Sequence, residues 1–188
     1  MPVADRTDEV LDAAYTCLTR YGARRTTMDD IAREMGVSRS ALYQYVRNKD
    51  HALRLLAGRL HEQALARARE AAASRDPVAD RVHGVLEAKL DLVLDLAGDS
   101  PHTAELLDAE ARLFGDVCAD FTARLRTLLT ALLREAAIDE PEDAADLCIA
   151  LVGGLEDRAR AKPLLGRATA ALVTGLAAVP ASRTPPAS

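Results

Sequence analysis

Five side chains in the first quarter of the chain have the types and spacing to do chemistry at a surface: Arg39, Ser40, Tyr43, Gln44 and Arg47. Their separations (i, i+1, i+4, i+5, i+8) place them on one face of a helix, with Leu42 and Val46 on the other. Two guanidinium groups, a hydroxyl, a phenol and a carboxamide shown together can hydrogen-bond to base edges in a DNA major groove. The same spacing also fits an ordinary helical hairpin with a solvated polar face.

Such a face needs a scaffold, and the residues on either side supply one. Thr27 is a favourable N-cap, and Asp30 three positions on completes a capping-box variant. Met28, Ile31, Ala32 and Met35 follow at i, i+3, i+4, i+7, the apolar stripe of a helix. Gly36 can take the left-handed conformation that ends it, Val37 anchors the turn, and Ser38 caps the next helix. Upstream, Val10, Ala14, Cys17, Leu18 and Tyr21 form the stripe of a first helix over about residues 7–21, closed by Gly22. Downstream, Asn48 caps a fourth helix from Lys49 to about Ser74. At 1.5 Å per residue it is about 39 Å long, enough to leave one domain and enter another. Thr26 and Thr27 stand where backbone N–H groups and a hydroxyl could hold a phosphate.

From about Arg6 to about Leu60 the chain resembles the N-terminal DNA-binding domain of the tetracycline-repressor (TetR) family. The resemblance is carried by Ala23 to Thr27, Asp30-Ile-Ala-Arg-Glu-Met-Gly-Val-Ser38, Ala41-Leu-Tyr-Gln-Tyr-Val46 and Asn48-Lys-Asp50. It implies that Arg39 and Ser40 reach base edges, with Thr27, Tyr43, Tyr45 and Lys49 mainly holding phosphates. Ser38 and Gln44 complete the candidate DNA-binding set. It further implies a dimer formed through the last two helices, a palindromic operator and a small-molecule effector. The remaining two thirds of the chain are only loosely constrained by it.

The chain has 188 residues, 49% of them hydrophobic and 3% aromatic. Val and Ile are sparse and no convincing period-2 run occurs, so the fold class is all-α, with about nine helices. No apolar segment reaches the roughly 18 residues of a membrane span, and residues 1–6 lack the apolar core of a secretory signal, so a cytoplasmic location is expected. Cys17, Cys118 and Cys148 are far apart and the four histidines show no ligand spacing. Neither a metal nor a cofactor is expected. The net charge of −5 argues against a nucleic-acid partner until it is divided. Residues 1–75 hold 13 Lys and Arg against 10 Asp and Glu, and residues 76–188 hold 11 against 19. A mildly basic module joined to an acidic remainder suits one face meeting phosphate, with two subunits needed for firm binding.

The expected domains are residues 1–50 for the helix-turn-helix, 51–178 for a helical ligand-binding and dimerisation bundle, and 179–188 for a disordered tail. Within the bundle, Pro77 opens a helix reaching about Ala97, and a short one covers about residues 102–108. A long helix ends near Ala137, another covers about residues 142–159, and Lys162-Pro163 precedes the last. Lys89 and Glu110 are the two charges whose phase points inward, among Phe114, Cys118 and Phe121. This is a candidate effector pocket or, equally, a buried salt bridge. The dimer interface is expected on Leu147, Leu151 and Leu155 together with Ala168, Ala171, Leu172 and Gly175, whose small residues permit close helix approach.

The function expected is a ligand-responsive repressor that binds a palindromic operator in double-stranded DNA as a homodimer. An activator, or a protein-interaction module without ligand control, is the alternative. An enzyme lacks support: there is no nucleophile–base pair, Gly-rich phosphate loop or metal cluster.

Overall fold

The computed structural model describes residues 3–99, 115–156 and 160–178, and these contain eight helices. They are α1 (Val3–Tyr21), α2 (Met28–Glu34), α3 (Arg39–Leu42), α4 (Lys49–Ala73), α5 (Val78–Asp99), α6 (Gly115–Glu135), α7 (Pro141–Gly153) and α8 (Ala161–Ala178). The short helix expected over residues 102–108, Glu110, Phe114 and the tail from residue 179 lie outside the described residues. The helices form two compact units, one from residues 1–62 and 94–120, the other from 63–93 and 121–188. Helices α4, α5 and α6 each contribute residues to both.

In the first unit Val10, Ala14, Cys17 and Leu18 of α1 are buried with Ile31 and Ala32 of α2, Leu42, Val46, and Leu53, Leu56 and Ala57 of α4. Tyr21, assigned to the α1 stripe by period, is instead exposed, with the Arg20 guanidinium 5.8 Å from its ring centroid. Burial pushes the Cys17 thiol up to about 11, as expected of a core hydrophobe rather than a reactive group. Two arginines of α4 act as tethers. Arg59 Nη2 lies 2.8 Å from Asp12 Oδ1 of α1, and Arg54 forms a two-point ion pair with Asp116 of α6.

In the second unit Ala64, Leu65 and Ala68 of α4, Val82, Val85, Leu86 and Leu90 of α5, and Phe121, Leu125, Leu129, Leu132 and Leu133 of α6 are buried. A Cβ built on Gly84 would sit 2.7 Å from the Ala71 Cβ, so α5 approaches α4 at a point where only glycine fits.

Two helices end in the same Schellman geometry with different residues at the left-handed position. After α2, Gly36 has φ +68°, Val37 N donates to Ala32 O at 3.0 Å and Gly36 N to Arg33 O at 3.1 Å. After α6, Ala137 has φ +54°, Ile138 N donates to Leu133 O at 3.0 Å and Ala137 N to Arg134 O at 3.0 Å. Alanine there carries a Cβ penalty that glycine avoids, and the buried Ile138 holds the turn closed.

The last two helices differ from their expected extents. Helix α7 ends at Gly153 rather than near 159, where Gly153-Gly154 breaks it. Helix α8 begins at Ala161, with Pro163 inside its first turn, where a missing N–H costs nothing.

Candidate nucleic-acid interface

The candidate interface is held by a chain of local caps. Thr27 Oγ1 accepts from Asp30 N at 3.2 Å, while Asp30 Oδ2 accepts from Thr27 N at 3.0 Å and from the Thr27 hydroxyl at 2.6 Å. The Thr27 hydroxyl, with the nearby Arg33, holds the Asp30 carboxyl below the ordinary carboxylate range. Thr26 does not share this exposure: it is buried, and its hydroxyl donates to Gly22 O at 2.8 Å. Its side chain is thus unavailable to a phosphate.

Helix α3 has four residues, shorter than the span to Val46 suggested by period. Ser38 Oγ caps it by accepting from Ala41 N at 3.2 Å, and lies 3.0 Å from Ser40 Oγ. Tighter turns continue the chain, with Tyr45 N donating to Leu42 O at 3.0 Å and Val46 N to the same oxygen at 3.2 Å. Leu42 and Val46 are buried, while Arg39, Ser40, Tyr43, Gln44 and Arg47 are exposed and Tyr45 is half-buried. The face read from spacing is therefore present.

Arg39 does not project alone. Its Nη1 donates to Asp29 Oδ2 at 3.3 Å, its Nη2 to the Tyr43 hydroxyl at 3.2 Å, and its Cζ lies 5.6 Å from the Tyr43 ring centroid. These groups, Tyr43 foremost, raise the Arg39 guanidinium further above its already high range.

At the start of α4, Asn48 Oδ1 accepts from His51 N at 2.8 Å while His51 Nδ1 accepts from Arg47 N at 3.2 Å, a reciprocal cap. The half-buried Lys49 donates from Nζ to Ala23 O at 3.0 Å and Arg24 O at 3.3 Å. This ammonium closes the α1–α2 turn onto α4. With three donors, it keeps one N–H beyond those two bonds.

Sequence reading passed over Asp29, Arg24, Arg25 and His51. Arg24 and Arg25 are exposed just ahead of the Thr27 cap, and a count of basic residues around the capping motif would have picked them out.

The residues singled out elsewhere fall as follows. Lys89 is half-buried and its Nζ donates to Glu156 Oε1 at 3.2 Å, so its carboxylate partner comes from the turn after α7. Phe121 is buried and Cys118 half-buried, and Glu110 and Phe114 are outside the described residues. On α7, Ala144 and Cys148 lie on a different face from Leu147, Leu151 and Leu155. Ala144, Ala145, Cys148 and Val152 are buried, while Leu147 is 53% exposed and Leu151 and Leu155 are half-buried. On α8 the buried row is Ala161, Leu165, Thr169 and Val173. Ala171 and Gly175 are exposed, Ala168 and Leu172 half-buried, and a Cβ on Gly175 would meet nothing within 4 Å. Among the described residues, Gly175 therefore serves no close approach.

Residues 10–55 match the model of the bacterial regulatory proteins of the tetR family. The chain is 32% identical over 112 residues to the HTH-type transcriptional regulator TtgR of Pseudomonas putida, an alignment covering 58% of this chain and 52% of that one. It is 31% identical over 111 residues to the nucleoid occlusion factor SlmA of Pasteurella multocida, covering 58% and 54%. The chain thus spans about half the length of the curated relatives it matches. A Pseudomonas aeruginosa PAO1 protein of known structure superposes with TM-score 0.77 at 22% identity, over 95% of this chain and 93% of the other. A TetR/AcrR-family transcriptional regulator from Thermobifida fusca superposes with TM-score 0.69 at 20% identity, over 91% and 98%. The capped hairpin, the helical fold and the match over residues 10–55 agree, and this segment of the chain is similar to the DNA-binding segment of the tetR family of bacterial regulatory proteins.

Proposed function

We propose that this protein is a transcriptional regulator that binds a palindromic operator as a homodimer and represses the adjacent gene until a small molecule releases it. The observation that carries the reading is the exposed row Arg39, Ser40, Tyr43 and Gln44, seated by a capped helix on a closed core. Arg39 and Ser40 reach base edges. Thr27, Tyr43, Tyr45 and the remaining N–H of Lys49 hold phosphates, joined by the exposed Arg24, Arg25 and Arg47. Two copies associate through Leu147, Leu151, Leu155, Ala168, Ala171, Leu172 and Gly175, which the single chain leaves open or half-open. The half-sites then lie about one helical turn (~34 Å) apart or somewhat more. The effector sits in the second unit beside Lys89 and Phe121, and acts only through different affinities for the bound and released states.

Retention on duplex DNA, titrated against salt, tests this. Binding should weaken linearly in log–log form as salt rises. Failure to retain any duplex at about 50 mM salt would remove the reading. A second reading, DNA binding without ligand control, is favoured by the Lys89–Glu156 pair, which already satisfies the charge an anionic effector would meet. Glu156→Gln separates the two: it frees Lys89, and shifts a dose–response only if an effector binds there.

A further inference from the structure

Asp29 is a carboxylate on a surface proposed to meet a polyanion, which calls for a reason. It is 55% exposed in the first turn of α2, ten residues before Arg39 in sequence, and its Oδ2 accepts from Arg39 Nη1 at 3.3 Å. On the other flank Arg39 Nη2 donates to the Tyr43 hydroxyl at 3.2 Å, with the guanidinium 5.6 Å from the ring centroid. Each terminal nitrogen of a guanidinium carries two N–H groups, so each keeps one after these bonds. That is the pair needed for a two-point contact with guanine O6 and N7.

We propose that Asp29 is a specificity-determining positioning residue. Its carboxylate holds one flank of the Arg39 fork, so that Arg39 gains little from a phosphate and is reserved for a base edge. Phosphate and guanine differ in what Arg39 must exchange. Against a phosphate, Arg39 must leave one anion for another, and the uncovered Asp29 then repels the backbone. Against a guanine edge it keeps Asp29 and Tyr43 and adds two bonds. The penalty therefore falls on sequence-independent binding, which raises the ratio between right and wrong sites. The proposal rests on the reading above that Arg39 faces bases.

The test compares wild type, Asp29→Asn, Arg39→Ala and the double variant on two probes. One is a duplex selected by the wild-type protein from a randomised pool, the other a shuffled duplex of the same composition. Asp29→Asn should tighten binding to the shuffled duplex and steepen its salt slope by about one phosphate per subunit. An exposed pair is worth a fewfold, so the specificity ratio should fall by about threefold per half-site, or about tenfold for a dimer. In the Arg39→Ala background the same substitution should leave the ratio unchanged. A merely structural role would weaken both probes together and lower the melting temperature without moving the slope. The proposal is overturned if Asp29→Asn shifts both probes equally, or if it acts as strongly without Arg39. If wild type is retained on neither probe, the DNA-binding reading itself falls, a result distinct from the other two.

Discussion

The α2–α3 hairpin and the α7–α8 hairpin treat their apolar side chains in opposite ways. In the first, Met28, Ile31, Ala32, Leu42 and Val46 all go inside, and the outer face is left to polar groups in named hydrogen bonds. In the second, an inner row of Ala144, Ala145, Cys148, Val152, Leu165 and Val173 is buried, while Leu147 and Leu164 stand 53% and 40% exposed. A hairpin that completes its own core can offer a polar surface. One that leaves leucines and small residues outside is where the proposed self-association would occur.

The sharpest way to break this contrast is Gly175→Arg. The site is open among the described residues, so the protomer should fold normally while sedimentation reports monomers. Operator retention should fall by about 10²–10⁴ as bivalent binding is lost. A variant that stays dimeric places the self-association surface elsewhere. Next comes Leu42→Ala in the first hairpin, where the side chain is fully buried. A loss of about 2–5 kcal/mol in urea unfolding is expected, and the recognition face should go with it. Arg39→Ala addresses only the outer face. It should cost about 1–3 kcal/mol per half-site on the selected duplex and far less on a shuffled one, with stability unchanged.

Two smaller effects concern the caps. Thr27→Ala should cost about 1 kcal/mol. Because Asp30 is held below its ordinary value in the folded chain, the box stabilises above the unfolded carboxylate value of about 3.9. That contribution fades as pH falls through the lower folded value, so the variant should show a weaker acid-side loss in thermal melts. Ala137→Gly should raise stability by about 0.5 kcal/mol, because glycine takes φ +54° without a Cβ clash, less its greater freedom when unfolded. A loss there would mean that the turn is set by something other than its left-handed residue.

Much of the first hairpin could be read in the sequence because its determinants are local. The Thr27–Asp30 box, the Gly36 turn and the Ser38 cap act within a few residues, and the structure holds all three. Less could be read where a side chain is claimed by a distant partner. Lys49 reaches carbonyls 25 and 26 residues earlier, Arg54 reaches Asp116, and Lys89 pairs with Glu156. Helical phase puts a charge on a face but does not name its partner. On α7, apolar residues lie on both the buried and the exposed side, and a helix apolar on both sides gives no single stripe to read.

Helix α3 is only four residues long, and this bears on how the proposed reading surface breathes. A single turn fixes many torsions for few hydrogen bonds and has no stability of its own. It exists because Leu42 and Val46 are inside and Ser38 closes its end. It therefore should not fray separately from the core beneath it. The amides of Leu42 and Val46 should exchange with deuterium only when the whole first unit opens, at the rate of Ile31 in α2. The surface and its support then rise and fall as one cooperative unit, and any mutation that loosens that core also lowers the fraction of molecules competent to read.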